Sequence, residues 1–248
     1  MRNPFVAVLA LAFVPLGAQA AEIGVLSAGA TRAVVEILAR QFEAASGHKV
    51  AIVSDNAGGI QKRVEAGEAY DLVIVTPSVI DALVAKGKLA AGSRVDIATV
   101  GIGVGIREGA PRPDISTVEG FFAALRSARA IAYSAGTSGL YVKELIERQG
   151  LGAELAPKTR VKSSGYAAEF VASGEADIAI QQASEIIPVK GVTLIGPLPA
   201  PIQLITTYSG ALGMAPRDPA ATRALLAHLT GPNAGPVLTL RGLSVPGK

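Results

Sequence analysis

IGVL (residues 23–26), VAIV (50–53) and LVIV (72–75) are three short apolar runs, each with the length of a buried strand. Residues 31–45, between the first two runs, carry apolar side chains at a helical period, and Pro77 stands where proline is favoured in the first turn of a helix. Strands that alternate with helices in this way are typical of a parallel sheet with helices on both faces. The sequence therefore predicts an α/β fold.

The same alternation returns in the second half of the chain. A helix is predicted over residues 117–128, a strand over 130–133 and a further helix over 138–149. Two apolar stretches flank this half, one with glycine at alternate positions and one opened by three prolines, and both favour an extended backbone. We therefore predict two lobes with parallel-rich sheets, joined by two extended hinge crossings near residues 97–106 and 197–212.

These crossings set the predicted domain boundaries. Lobe 1 comprises residues 21–98 and 204–248, and lobe 2 comprises residues 99–203. The chain after residue 20 is long enough for one large domain or two small ones.

Residues 1–20 have the features of a secretory signal segment. Arg2 gives a positive start, residues 5–16 are mainly apolar, and AQA at 18–20 is an A-x-A cleavage pattern. An uncleaved membrane anchor is the alternative, although the apolar run is short for a bilayer span. We predict an exported, periplasmic protein, and the absence of cysteine fits a core large enough to need no disulfide.

The composition argues against several classes of function. The net charge is only +3, and no run of lysine and arginine or interleaved aromatic platform occurs, so nucleic acid is not a predicted partner. There is no cysteine, and the two histidines neighbour no candidate nucleophile or metal ligand, so neither thiol chemistry nor a metal site is predicted. We predict a monomer that needs no cofactor.

Small polar residues directly follow several predicted strands, at the points where helices begin. Ligands of open α/β sheets bind outside the carboxyl ends of the strands, where helix N-termini offer free amides and a positive dipole end. Four such turns span residues 27–31, 54–59, 134–139 and 162–165, and together they predict a cleft for a small anionic ligand. Their candidate ligand-binding residues are Ser27, Ala30, Thr31, Asn56, Gly58, Gly59, Ser138 and Ser163.

Each turn also has a purely structural explanation. Thr31 and Ser138 are of the type that caps helices, and the glycines Gly58 and Gly59 suit an ordinary turn. Lys162, beside the fourth turn, is of the type that is usually solvated. The sequence leaves these alternatives open, and the number of such turns in both halves is what favours a cleft.

Five blocks of sequence are informative in their order and spacing: VLSAGA (25–30), VEAGEAYDLVI (64–74), GLYVKE (139–144), GEADIAI (174–180) and LTGPNA (229–234). Through these blocks the chain resembles, over nearly its whole length after residue 20, the periplasmic molybdate-binding protein family of ABC importers. The resemblance implies a type II periplasmic binding protein fold with a hinged two-lobe cleft. It also implies delivery of the ligand to the membrane permease of an ABC transporter.

The resemblance also implies which positions face the ligand. The family holds a tetrahedral oxyanion with neutral donors. The corresponding positions here are Ala30 with Thr31, Gly58 or Gly59, Gln181, Ser138 and Ser163. Two of the family's serines and its cleft tyrosine are thereby replaced. A molybdate-like or tungstate-like oxyanion and a small organic carboxylate both fit the altered donors.

The predicted function is that of the periplasmic solute-binding component of an ABC importer, without catalytic residues. A periplasmic sensor or adaptor that uses the same fold without transport is one alternative. An enzyme is the other. No G-x-S-x-G or H-E-x-x-H motif occurs, and the carboxylates that could act in pairs are Asp55 with Asp71 and Glu175 with Asp177.

Overall fold

The computed structural model describes residues 20–247, so the predicted signal segment, apart from residue 20, lies outside the described residues. The strands in this range are β1 (Glu22–Ala28), β2 (Lys49–Asp55), β3 (Leu72–Val75), β4 (Val95–Arg107), β5 (Ile131–Ser134), β6 (Thr159–Lys162), β7 (Ile178–Gln182), β8 (Val192–Pro197) and β9 (Ile205–Leu212). The helices are α1 (Gly29–Ser46), α2 (Ala57–Glu65), α3 (Pro77–Ala85), α4 (Val118–Ser127), α5 (Thr137–Arg148), α6 (Gly152–Leu155), α7 (Ala168–Ser173), α8 (Ala183–Ile186), α9 (Pro219–Leu229) and α10 (Ala234–Leu240). This order confirms the predicted α/β class.

Two sheets share the long strand β4. The first has the strand order β2-β1-β3-β9-β4, in which β1 is parallel to β2 and β3, and β9 is antiparallel to both of its neighbours. In the second sheet β4 pairs antiparallel with β7 and β8, and β5 lies parallel to β6 and β7. Residues 95–101 of β4 pair with β9, and residues 102–107 pair with β7 or β8. The first predicted crossing is thus a strand that runs from one sheet into the other.

Helices cover both faces of the first sheet, as the side chains of β3 show. Leu72 and Ile74 belong to the core beneath α1, α9 and α10, whereas Val73 and Val75 belong to the core beneath α2 and α3. All four side chains are fully buried, and burial of each stabilises the fold by about 1.5–3 kcal/mol. The run LVIV has no polar alternation because neither face of the strand meets water.

The second sheet is covered in the same way. Phe121 of α4 and Val142 of α5 pack on one face, and Val171 of α7 and Ile186 of α8 pack on the other. None of the helices in residues 20–247 is long and apolar enough to cross a membrane.

The connections after β1, β2 and β5 place three helix starts near each other. Helix α1 follows β1 directly, α2 begins two residues after β2, and α5 begins three residues after β5. Since β1 and β2 are parallel neighbours, the first turns of α1 and α2 lie at the same edge of the first sheet. The first turn of α5 faces them from the second sheet, across the cavity described next.

Candidate functional site

A cavity of about 120 Å³ lies between the two sheets, at the starts of α1, α2 and α5. One wall comes from the first residues of α1 and α2, and the other from the start of α5, the loop of residues 162–166 and helix α8. Sites that hold drug-sized molecules have volumes of about 300–1,000 Å³, so this cleft suits an anion of only a few heavy atoms or a short carbon chain.

The helix starts at the cleft leave backbone amides free for a ligand. No side chain caps α1 or α5, and the first four amides of a helix have no partner within it. Helix α2 is capped by Asn56, whose Oδ1 accepts from the Gly59 amide at 2.9 Å. None of the three first turns contains an acidic residue that would compete for these amides. The arrangement can therefore bind negative charge.

The cationic side chains at the cleft, and Asp55, are already paired within the protein. Lys162 contacts Glu169 at 2.9 Å, Arg32 contacts Glu36 at 2.8 Å, and Asp55 accepts from the Arg63 Nε at 3.4 Å. The donors left for a ligand are mainly amides and hydroxyls, in agreement with the neutral donor set that the sequence predicts.

The predicted site residues divide into two groups. Ala30, Asn56, Ser138 and Ser163 line the cavity. The other five predicted residues are absent from its lining, and their role in binding stays a prediction. They are Ser27, Thr31, Gly58, Gly59 and Gln181.

The hydroxyls after β1 are turned toward each other. The Ser27 Oγ lies 2.9 Å from the Thr31 Oγ1, and the Thr31 hydroxyl also donates to the Ala28 carbonyl. Both residues are fully buried. They brace the first turn of α1, whose residues Gly29 and Ala30 line the cavity, while these two hydroxyl residues do not.

The side chain of Gln181, a residue of β7, forms two hydrogen bonds in the wall of the cleft. Its Oε1 accepts from the Ala168 amide at 2.7 Å, and its Nε2 donates to the Glu185 Oε2 at 3.3 Å. Gln181 itself is fully buried. It therefore connects the start of α7 to a carboxylate that lines the cavity.

That carboxylate, Glu185, is the functional candidate that sequence reasoning missed. Burial of Glu185 in the cleft wall raises its pKa to about 7, although hydrogen bonds from the Gln181 side chain and the Gln182 amide oppose the shift. Burial and the nearby Glu185 charge raise the pKa of Tyr166 to about 12. The signal in the sequence is the polar run that follows β7, the same kind of strand end that marks the other turns.

Two buried polar atoms at the cavity have no hydrogen-bond partner among the described residues. They are the Ser54 Oγ and the Gln182 Oε1, and both residues line the cavity. The Gln182 Nε2 donates to the Thr206 Oγ1 at 2.9 Å, which leaves the amide oxygen as an open acceptor. Buried polar atoms are nearly always satisfied, so these two indicate where a ligand or water binds.

The carboxylate pairs considered as catalytic are separately bonded. Asp71 is bound by Arg217, at 2.8 Å, whereas Asp55 pairs with Arg63. The Glu175 carboxylate accepts from Ser173, and Asp177 contacts Arg129. Neither pair forms a shared carboxylate site.

The two histidines lie outside the cleft. His48 and His228 both pack against the Phe42 ring, at centroid distances of 5.8 and 5.7 Å. Neither lines the cavity. They therefore supply no general base to a ligand held there.

A larger groove of about 750 Å³ lies on the second sheet, beside α4. Its lining is mainly apolar and includes Ile106, Pro111 and the paired Arg129 and Asp177. Its lining includes no first-turn residue of α1, α2 or α5. The smaller cleft between the sheets is therefore the candidate site.

Two hydrogen bonds cross directly between the walls of the cleft. The Asn56 Nδ2 donates to the Ser163 carbonyl at 3.1 Å, and the Ser184 Oγ donates to the Ala30 carbonyl at 2.7 Å. The structure is thus one in which the two walls touch.

The chain is similar in sequence to known proteins over most of its described length. A sequence model of the family described as bacterial extracellular solute-binding protein matches residues 23–244. The chain is 35% identical over 225 residues to an aconitate isomerase from a Pseudomonas species, covering 88% of this chain and 86% of that protein.

Solved structures resemble the fold more broadly. The periplasmic molybdate-binding protein of Azotobacter vinelandii has a TM-score of 0.77 at 23% identity, covering 90% of this chain and 99% of that chain. A periplasmic thiamin-binding protein has a TM-score of 0.73 at 13% identity, covering 95% of this chain and 87% of that chain. These similarities confirm the predicted type II periplasmic binding protein fold.

Proposed function

The chain belongs to the bacterial extracellular solute-binding proteins, and from this premise we propose that it binds a small organic polycarboxylate of the aconitate class in the cleft. The observation that carries the proposal is the convergence of three helix starts on one small cavity whose cations are already paired. Each helix start can accept one carboxylate, so the geometry suits a ligand that spreads its negative charge over several groups.

The position of Glu185 favours a carboxylate over a bare oxyanion. A tetrahedral oxyanion concentrates its charge on one centre beside this acidic wall, whereas a polycarboxylate can place its groups at separate helix starts. A ligand carboxylate has a pKa near that of an ordinary glutamic acid and can share a proton with Glu185. The similarity to a protein named aconitate isomerase supports the same ligand class.

The proposal includes export and transport. Residues 1–20 would direct the chain to the periplasm, and lobe 1 (21–98 and 204–248) would close on lobe 2 (99–203) about the crossings near 97–106 and 197–212. A ligand that binds the closed form better shifts the population toward closure, and the permease of an ABC importer would recognise that form. A sensor without transport would use the same closure.

A ligand panel followed by thermal unfolding tests the proposal. Wild-type protein is heated with cis-aconitate, trans-aconitate, tricarballylate, citrate, molybdate, tungstate or sulfate. A ligand at about 100 times its Kd adds about 2.7 kcal/mol of stability, or about 5–10 °C in Tm for a chain of this size. We expect that shift with the tricarboxylates. A response to the inorganic oxyanions alone would overturn the polycarboxylate proposal.

A second candidate function is isomerisation of the bound polycarboxylate. The observation that favours it is Glu185, whose carboxyl lines the cavity and changes protonation near neutral pH, as a general acid–base group must. Proton NMR of cis-aconitate incubated with the protein measures the vinyl signals of both isomers. Binding without conversion agrees with a transport role, whereas conversion proportional to protein concentration establishes an enzyme.

The contact between Asn56 and Ser163 gives a further prediction. Serine in place of Asn56 keeps an N-cap for α2 but is too short to reach the opposite wall. We expect an unchanged Tm without ligand and a Kd for tricarballylate that rises about two- to tenfold, the effect of one lost hydrogen bond. Thr117→Ser, which changes the N-cap of α4 away from the cleft, is the control. An unchanged Kd would show that this contact does not hold the cleft closed.

A further inference from the structure

The Glu185 carboxylate faces the start of α1 across the cleft. A Cβ atom on Gly29 would lie 2.8 Å from the Glu185 Oε1, so a residue with a side chain at position 29 would displace that oxygen. Gly29 is also the first residue of α1, where the backbone amides have no partner within the helix and can bind an anion. A ligand carboxylate bound at these amides is therefore brought next to Glu185.

The charged groups around Glu185 offer it no counter-ion. From α1, Arg32 is held by Glu36, and from the α7 side Lys162 is held by Glu169. Tyr166 and Tyr208 face Glu185 as neutral phenols, since burial raises the pKa of both. Among the described residues the one side-chain hydrogen bond recorded for this carboxylate comes from Gln181, at 3.3 Å.

We propose that the cleft takes up one proton with its ligand, and that this proton is shared between Glu185 and the ligand carboxylate at the start of α1. The inference rests on the proposed function, since it requires a ligand with carboxylate groups. Two carboxylates side by side in a partly desolvated site cannot both stay ionised, so one of them binds a proton from water.

An independent observation supports a proton-bearing ligand group at this wall. The Gln182 side chain is 1% exposed and lines the cavity, and its Oε1 has no donor among the described residues. A fully ionised carboxylate offers no donor to this oxygen, whereas a carboxylic acid group does. Glu185 and Gln182 together therefore select a ligand that binds with one proton.

Calorimetric titration at pH 8 measures this proton directly. Tricarballylate, which cannot isomerise, and trans-aconitate are each titrated in two buffers with different ionisation enthalpies. Both ligands are fully ionised at this pH, because carboxyl groups lose their protons near pH 4. We expect the wild-type protein to take up close to one proton for each ligand bound, and the Kd to rise about tenfold for each pH unit above 7.

The matched variant is Glu185→Gln, which keeps a hydrogen-bond donor and removes the titrating group. We expect it to bind the same ligands with no proton uptake and a Kd that stays constant from pH 7 to 9. A Tm measurement confirms that the variant is folded, and the wild-type titrations stand alone if it is not.

The titrations distinguish a failure of this inference from a failure of the proposed function. Binding by the wild-type protein without proton uptake at pH 8 overturns this inference and leaves the proposed function intact. No binding of any polycarboxylate by the wild-type protein overturns the proposed function, and the inference with it.

Discussion

Replacing Gly139 with alanine is expected to destabilise the protein by about 3 kcal/mol and to weaken ligand binding at least about tenfold. Gly139 is the third residue of α5 and is buried against the end of β5. A Cβ atom there would lie 1.5 Å from the Ser134 carbonyl oxygen and 2.6 Å from its carbon. The position of a Cβ atom is fixed by the backbone, so no change of rotamer can relieve its clash with the Ser134 carbonyl. The start of α5 must therefore move away from the cleft.

The loss of binding follows from that movement. The amides at the start of α5 line one wall of the cavity, and a hydrogen bond to a charged group contributes about 1.5–3 kcal/mol. For a chain of this size the destabilisation corresponds to a fall in Tm of about 6–12 °C. Thermal unfolding measures the loss of stability, and calorimetry with tricarballylate measures the loss of ligand affinity.

Gly58→Ala is the matched control, because Gly58 is also near the start of a helix at the cleft. The nearest atom to its added Cβ would be the Asn56 Oδ1 at 3.5 Å, an ordinary contact. Alanine in a helix is favoured over glycine by about 0.5–1 kcal/mol, so this variant should gain stability slightly. If Gly139→Ala unfolds at the same temperature as the control, the close packing of α5 on β5 is wrong.

The sequence predicts the apolar strands of the first sheet and misses a polar edge strand of the second. The runs at 23–26, 50–53 and 72–75 fall within β1, β2 and β3. The run in β3 is apolar throughout because both of its faces are buried, whereas β2 lies at the edge of its sheet and was predicted from its apolar residues although it is partly exposed. Strand β6 was not predicted. Its sequence, TRVK, has one neighbouring strand and two exposed residues, so nothing in its composition separates it from a loop.

In the candidate site, too, local sequence patterns predicted some features, and contacts between distant parts of the chain determined the others. The helix starts could be predicted because each follows a strand in the chain. The direction of the Ser27 and Thr31 hydroxyls could not, because it depends on the hydrogen bond that they form with each other. Glu185 reaches the cleft through contact of α8 with α1, whose Ser184 and Ala30 are 154 residues apart. No local pattern encodes that approach.

Replacing Asp71 with alanine is expected to destabilise the protein by about 3 kcal/mol at neutral pH and to leave ligand affinity unchanged. The Asp71 side chain is nearly inaccessible to solvent, and its carboxylate accepts from the Gly24 amide at 2.6 Å and the Arg217 amide at 2.6 Å. It also accepts from the Arg217 Nε and Nη2 at 3.1 and 2.8 Å. Asp71 therefore ties β1 to the segment before α9, away from the cleft.

The expected loss of stability is large because the Arg217 side chain and the Gly24 and Arg217 amides donate hydrogen bonds to the ionised Asp71 carboxylate. Burial acts to raise the pKa of Asp71, but hydrogen bonds from the Arg217 side chain and the Gly24 and Arg217 amides lower it, and the net pKa lies below its usual value. A carboxyl with a lowered pKa contributes stability above its unfolded pKa, and that contribution is lost as the pH falls through the folded value. The alanine variant should therefore approach wild-type stability only in strong acid.

Asp81→Ala separates this buried contact from an ordinary surface ion pair. The Asp81 side chain is 65% exposed and contacts Arg94 at 2.7 Å, and such pairs contribute about 0–1 kcal/mol. Urea unfolding of both variants at pH 7, with calorimetry of tricarballylate, gives stability and affinity separately. Equal stabilities would show that water replaces the Asp71 carboxylate as the partner of Arg217 and Gly24 without loss of stability. A weaker Kd in Asp71→Ala with unchanged stability would place Asp71 in the binding machinery, against the geometry of its four hydrogen bonds.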